Sequence, residues 1–411
     1  EQWVDDLRLF GVKPIVAYSK SSQKDWKQTL SGAVLDRRLN LPSARFICCI
    51  TTNATLSGEW MQSCLKKLKR NILLIADEAH NLGAPVYQRV LKDNYSYRLA
   101  LSATFDRHHD EDGTNVLRDY FGSTCIKYPL EKAIREGMLS KYRYYPIPVT
   151  LTENELDKYS QLTRELSKCF EKTGSGKRRL SKRGEIIAQQ RARLVAAARN
   201  KIPMLKETIT PYRKGRHILI YCGAAQLLPE GEDCTQSSDE DRRQITRVVD
   251  LLGNELEMRV SKFTSEEDIS ERETLKEEFR SGNLQALVAI KCLDEGVNIP
   301  NIETAFMLAS TTNPKEYIQR RGRLLRLSPG KEYAEIYDFI TMPYSVGDAA
   351  GQTLEELRGV YSLMKNEIER GLEFAQYAMN FGEAQSVLDD IRDSYRIDEL
   401  KMLVKRDEEE A

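Results

Sequence analysis

Asp77, Glu78 and His80 stand in one short string, Asp-Glu-Ala-His, directly after the apolar run Ile72-Leu-Leu-Ile-Ala76. Adjacent carboxylates suit a divalent cation and the activation of a water molecule. Alone, the string is equally an acidic turn after a strand. A second reactive group lies far downstream in Gln319-Arg320-Arg321-Gly322-Arg323-Leu-Leu-Arg326, which sets Arg320, Arg323 and Arg326 at i, i+3 and i+6. On a helix that spacing brings the three near one face. Guanidinium groups stay charged and grip phosphate bidentately, so such a face can stabilise charge on a transferred phosphoryl group. The plain alternative is an exposed basic helix end.

The elements that must carry these residues follow from hydrophobic pattern. Residues 72–76 read as a fully buried strand, and carboxylates at the C-terminal end of such a strand sit on the rim of an open α/β sheet, where ligands bind. Short apolar runs recur at 46–50, 98–101 (followed by Ser102-Ala103-Thr104), 217–222, 284–290, 304–309 and 333–340, with helical segments between them. Strands alternating with helices imply βαβ units and parallel sheets. Residues 141–151 are aromatic and proline-bearing, hence extended, and mark a first boundary. The organisation expected is 1–145 as one α/β domain, 146–210 as a linker with a basic helical segment, 211–345 as a second α/β domain, and 346–411 as a helical extension.

Composition narrows the function classes. The 411 residues hold 62 Lys and Arg against 62 Asp and Glu, so any nucleic-acid binding must come from local patches. The eight cysteines are scattered, with no CxxC pair, which points to reduced thiols in a cytoplasmic protein and no zinc site. No apolar run approaches membrane-spanning length. His108-His109 beside three acids reads as a solvated loop, because an all-adjacent cluster cannot easily wrap one ion. From Lys177 to Arg199 there are eight Lys and Arg against one acid, Glu185. That run is either a solvated helix face or a phosphate-contacting patch, with Arg191 and Arg193 the candidates for contact. Thr173-Gly-Ser-Gly-Lys177 lacks the first glycine and the closing Ser or Thr of a phosphate-binding loop and follows no strand, so it is not a nucleotide site.

Taken in order, DEAH, SAT, DEGVNIP and QRRGRLLR resemble the superfamily-two DEAD/DEAH-box helicases and translocases, in the branch of XPB, UvrB and restriction motors. The likeness covers about residues 1–345 and extends to the segment from Tyr128 to Tyr159; NEIERGLEFAQYAMN is more weakly similar to the helical ending of some members. It implies two RecA-like domains, the first incomplete, and ATP and Mg²⁺ as cofactors. Asp77 would hold Mg²⁺ through water and Glu78 would act as general base. His80 would link the ATP site to Ser102 and Thr104, which couple hydrolysis to movement, and to Gln319. Arg323 and Arg326 would be arginine fingers, with Arg320, Asp294, Glu295 and Gly296 also at the nucleotide. Thr52, Thr264 and Lys291 would touch the nucleic-acid backbone.

Two departures stand out. No G-x-x-x-x-G-K-[ST] loop occurs in these residues, so another segment would have to complete the first domain for hydrolysis to proceed. Asn298 stands where aspartate is common, which removes a charge but keeps a hydrogen-bonding oxygen. The activity implied is an ATP-driven DNA helicase or translocase, with the motor of a restriction or phage-defence system and its nuclease partner as the implied setting. The alternatives are a DEAH-type RNA helicase and a non-hydrolysing nucleic-acid-binding scaffold.

Overall fold

The computed structural model describes residues 2–19, 21–42, 46–68, 71–106, 110–172, 178–223, 239–264, 267–290, 299, 301–309 and 314–410; side chains at 171–172, 178–179, 239–243, 269, 314–316, 318–319 and 407–410 lie outside the description. The described residues form two compact units that divide between Lys127 and Tyr128.

The first unit has four short strands in two parallel pairs. β1 (Ile15–Ala17) lies beside β2 (Cys49–Thr51), and β3 (Leu73–Ala76) lies beside β4 (Tyr97–Ala100). Trp26, Leu30 and Val34 recur every four residues on the helix Trp26–Arg38 and pack with Met61, Leu74, Ala76 and Leu117. The expectation that residues 72–76 are buried on both faces needs correction. Leu74 and Ala76 point inward, but Leu73 and Ile75 are 54% and 45% exposed, and Tyr97 and Leu99 of β4 are 62% and 37% exposed. The described residues of this unit cover only one face of the β3–β4 pair.

The second unit is built on a six-stranded parallel sheet. Its strands are β5 (Lys141–Thr150), β8 (Ile218–Cys222), β9 (Val260–Phe263), β10 (Ala286–Ile290), β11 (Thr304–Met307) and β12 (Tyr333–Met342), in the order β5-β12-β11-β8-β10-β9; a separate antiparallel hairpin joins β6 (Phe170–Lys172) to β7 (Arg178–Leu180). Every residue of β8, β10 and β11 is buried. Alternation along each strand divides them between two cores. Leu219, Tyr221, Leu287, Ala289 and Met307 meet Phe279, Leu324, Phe374 and Leu388 on one face. Ile218, Ile220, Val288 and Phe306 meet Leu205, Ile209, Val248 and Leu252 on the other.

The boundary placed at residue 145 falls inside β5. That strand pairs with β12 from Lys141 to Thr150, so residues 128–150 go with the second unit. Residues 146–210 and 346–411 are helix-rich, as the sequence implies, and both pack within this same unit. Thr152, with Glu155, forms a capping box that starts the helix Glu153–Ser167, and Ser181 caps the helix Lys182–Ala196. Among the described residues no helix is long and apolar enough to cross a membrane.

Candidate active site

In the first unit, β3 delivers Asp77 and Glu78 at its C-terminal end, and β4 delivers Ser102 two residues past its own end. Register places the two strand ends together, with Ala76 opposite Ala100. The Leu101 N–H donates to Ala76 O at 2.8 Å, and the Ala79 N–H returns to Leu101 O at 3.0 Å. These bonds bring His80, only 2% exposed, to Ser102, with Nδ1 and Oγ 3.1 Å apart. The Ser102 hydroxyl donates to Thr104 O at 2.5 Å. His80 Nδ1 is also 3.4 Å from a Glu78 carboxylate oxygen. The motif residues Glu78, His80, Ser102 and Thr104 thus form one connected group.

Asp77 faces solvent. Its Oδ2 accepts from the Trp3 indole Nε1 at 2.8 Å, and its Oδ1 accepts from the Glu78 N–H at 3.0 Å. Each carboxylate oxygen retains a second lone pair, so the donor set fits a hard divalent cation reached through water. Glu78 holds a left-handed backbone, φ 47° and ψ 50°, a conformation that costs a side-chain-bearing residue about 1 kcal/mol or more. Strain of this kind collects where a side chain must be aimed. Nothing in the helical spacing of Trp3 says that it reaches Asp77.

In the second unit the helix Pro314–Leu324 carries the arginines, but not all on one face. It ends at Leu324, so Arg326 lies beyond it. The last carbonyls have outside partners: the Ser140 N–H donates to Leu325 O at 2.7 Å, and Lys331 Nζ donates to Leu324 O at 2.6 Å and Arg326 O at 3.1 Å. Burial pulls the Lys331 ammonium down to about 8 and also lowers Arg326 from its ordinary value. Arg320 is 3% exposed and stacks on the Tyr221 ring, 4.0 Å from its centroid. Arg323 and Arg326 are half-buried. Arg321, to which the motif gave no role, is 3% exposed; it donates to Glu373 O at 2.8 Å and to the Glu373 carboxylate at 3.1 Å. Sequence reasoning missed Arg321 and Lys331 because Arg and Lys are ordinarily exposed and neither has a local signal.

The described residues assigned to nucleic acid fall in both units. Thr52 is exposed and caps the turn Asn53–Leu56, its oxygen accepting from the Thr55 N–H at 3.2 Å. Thr264 is buried, and both its N–H and its hydroxyl donate to Glu267, at 2.6 and 2.9 Å. Arg191 packs back onto the preceding helix, donating to Thr163 Oγ1 at 3.3 Å with its guanidinium 5.4 Å from the Tyr159 ring centre. Arg193 is half-buried. Lys291, Asp294, Glu295, Gly296 and Asn298, with His108, His109, residues 173–177 and the side chain of Gln319, lie outside the described residues.

Residues 1–107 match the family model described as "Type III restriction enzyme, res subunit", and residues 200–328 match "Helicase conserved C-terminal domain". The chain belongs to the superfamily-two helicases and translocases. The chain is 25% identical over 268 residues to "DNA 3'-5' translocase XPB2" of Sulfurisphaera tokodaii, covering 62% of this chain and 55% of the relative. It is 24% identical over 255 residues to "DNA 3'-5' helicase XPB" of Mycobacterium tuberculosis, covering 62% of this chain and 37% of the relative. The chain therefore spans between about a third and about half of the length of these two curated relatives. Among solved structures, the Pyrococcus furiosus Hef helicase domain aligns with a TM-score of 0.48 at 14% identity, covering 83% of each chain.

Proposed function

We propose that this chain is the core of an ATP-driven motor that moves along or unwinds DNA. The observation that carries the reading is the connected group at the ends of β3 and β4, in which Glu78 and Ser102 both converge on buried His80. A nucleotide-hydrolysing site needs a carboxylate base whose state is tied to a second structural element, and this group has that form. The XPB relatives, named as acting on DNA, favour DNA over RNA as the track. The match to a restriction-enzyme subunit model supports a place in a restriction or phage-defence system, with a nuclease as partner.

In this reading Glu78 draws a proton from the attacking water, and Asp77 would hold Mg²⁺ through water, which would supply positive charge to offset that of the phosphates. His80 and Ser102 fix the orientation of Glu78 and transmit its state to Thr104. Arg323 and Arg326 stabilise negative charge on the transferred phosphoryl group, and Arg320 orders the helix that bears Arg323. Catalysis of this type rests on positioning and charge. The exposed apolar face of Leu73, Ile75, Tyr97 and Leu99 is the seat of a further segment, supplying the phosphate-cradling loop that these 411 residues lack.

The test is ATP turnover by the intact protein with and without duplex DNA. Turnover stimulated by DNA, and reduced about 10²–10⁴-fold by Glu78→Gln, is the expected result. Turnover indifferent to any nucleic acid overturns the reading. Stronger stimulation by single-stranded RNA than by DNA would move the track to RNA.

A further inference from the structure

Three acidic or basic residues lie at i, i+3 and i+6 on the C-terminal helix Tyr361–Ala375: Glu367, Arg370 and Glu373. Such a stripe would ordinarily face water. Here Glu367 and Arg370 are only 5% and 4% exposed. Arg370 Nε donates to Asp338 Oδ2 of β12 at 3.2 Å, and its other nitrogens reach both Asp338 and Glu367. The Tyr144 hydroxyl of β5 donates to Asp338 at 2.9 Å, and the Thr341 N–H of β12 donates to Glu367 at 2.9 Å. One turn further on, Glu373 receives Arg321 from the arginine helix, on both its carboxylate and its backbone carbonyl, and the Tyr317 hydroxyl at 2.5 Å. The Arg321 guanidinium also lies 5.0 Å from the Phe374 ring centre.

One helix therefore makes polar contacts with β5 and β12 through Glu367 and Arg370 and with the helix Pro314–Leu324 through Glu373. We propose that Glu373 is a positioning residue: through Arg321 and Tyr317 it fixes the rotation of the arginine helix relative to the sheet, and so the aim of Arg323. Apolar packing alone is non-directional and lets a helix roll; a carboxylate shared by a guanidinium and a phenol does not. Arg320 on Tyr221 and Lys331 on the terminal carbonyls hold the same helix at two other points, but neither comes from the C-terminal helices. At Gly371 the same helix packs closely against its neighbours, since a Cβ there would lie 2.7 Å from Leu388 Cδ2 and 3.4 Å from the Tyr144 hydroxyl. The C-terminal helices then belong to the motor's chemistry rather than to its periphery.

This inference rests on the motor reading for its meaning in catalysis, yet its structural claim is separately testable. Amide hydrogen exchange in the full chain compares wild type with Glu373→Gln, Glu373→Ala and the exchanged pair Arg321→Glu/Glu373→Arg. The expected result is exchange across 314–324 accelerated about tenfold in both single variants, unchanged exchange in β8, and partial restoration in the exchanged pair. In the ATP-hydrolysing protein, kcat falls severalfold with KM for ATP unchanged, whereas general destabilisation would lower the active fraction without local exchange. Unaltered exchange across 314–324 in Glu373→Ala overturns the positioning role. A wild type that does not hydrolyse ATP refutes the motor reading, while the exchange data still decide the clamp.

Discussion

His80 Nδ1 and Ser102 Oγ lie 3.1 Å apart, joining two motifs that the sequence separates by 22 residues. Because His80 is 2% exposed, water does not readily replace the Ser102 hydroxyl beside Nδ1, which keeps the longer approach to Glu78. Ser102→Ala is expected to destabilise the first unit by about 1 kcal/mol, the net contribution of the lost hydrogen bond. Urea unfolding followed by Trp fluorescence measures it, and a shift under 0.3 kcal/mol would refute the contact.

Glu78 sits at φ 47°, where glycine is at ease and alanine is not. Both Glu78→Gly and Glu78→Ala remove the carboxylate and its approach to His80, so their difference isolates the backbone. Glu78→Gly should be the more stable by about 1 kcal/mol, although glycine lowers stability at most positions. Both should lack hydrolysis. Equal melting temperatures would mean the strain is not borne in solution.

Lys201 is buried with Nζ bonded to Val195 O at 2.9 Å, Ala196 O at 3.2 Å and Leu308 O at 2.6 Å. Burial lowers its pKa from 10.5 to about 8, with the Glu367 carboxylate opposing the shift. Below about pH 8 the group is protonated whether the chain is folded or not. Between about 8 and 10.5 the unfolded chain binds a proton that the folded chain does not, so this group adds stability as pH rises. The stability of wild type minus Lys201→Met should grow by roughly 2–3 kcal/mol between about pH 7.5 and pH 10. A difference that is flat with pH would show that the three carbonyls hold the ammonium charged throughout.

Arg191 and Arg193, adjacent candidates in one basic run, are expected to part company. Arg191 braces the helix Glu153–Ser167 through Thr163 and Tyr159. Arg191→Ala should cost about 1 kcal/mol of stability from the lost cation–π and hydrogen-bond contacts. Arg193→Ala should instead weaken DNA binding and reduce the salt slope by about 1. An unchanged slope with Arg193→Ala would return that residue to a solvated helix face.

The sheet of the second unit was readable because its strands are apolar on consecutive positions, as in Leu284-Gln-Ala-Leu-Val-Ala-Ile290, and burial on both faces leaves that mark. The placement of Asp77, Glu78 and His80 at a strand end was readable because the apolar run before them marks the strand. Glu367, Arg370 and Glu373 were not. Their helical spacing is that of a wet face, and partners distant in sequence, Asp338 and Arg321 among them, satisfy their charges. The break of the arginine helix at Leu324 was hidden for the same reason, since Ser140 comes from far upstream. Leu73 and Ile75 misled in the opposite direction: an apolar run reports what a strand can bury, not how many faces are covered.

The pairing of β5 with β12 has a consequence for how the protein is made. Tyr144 must find Asp338 across 194 residues of chain. At about 5–20 residues per second, a ribosome needs roughly 10–40 s to supply the second strand after the first. Throughout that interval the nascent tyrosine-rich strand waits without its neighbour. Resistance to protease should therefore arrive late and abruptly during synthesis, once the final β-strand has cleared the exit tunnel.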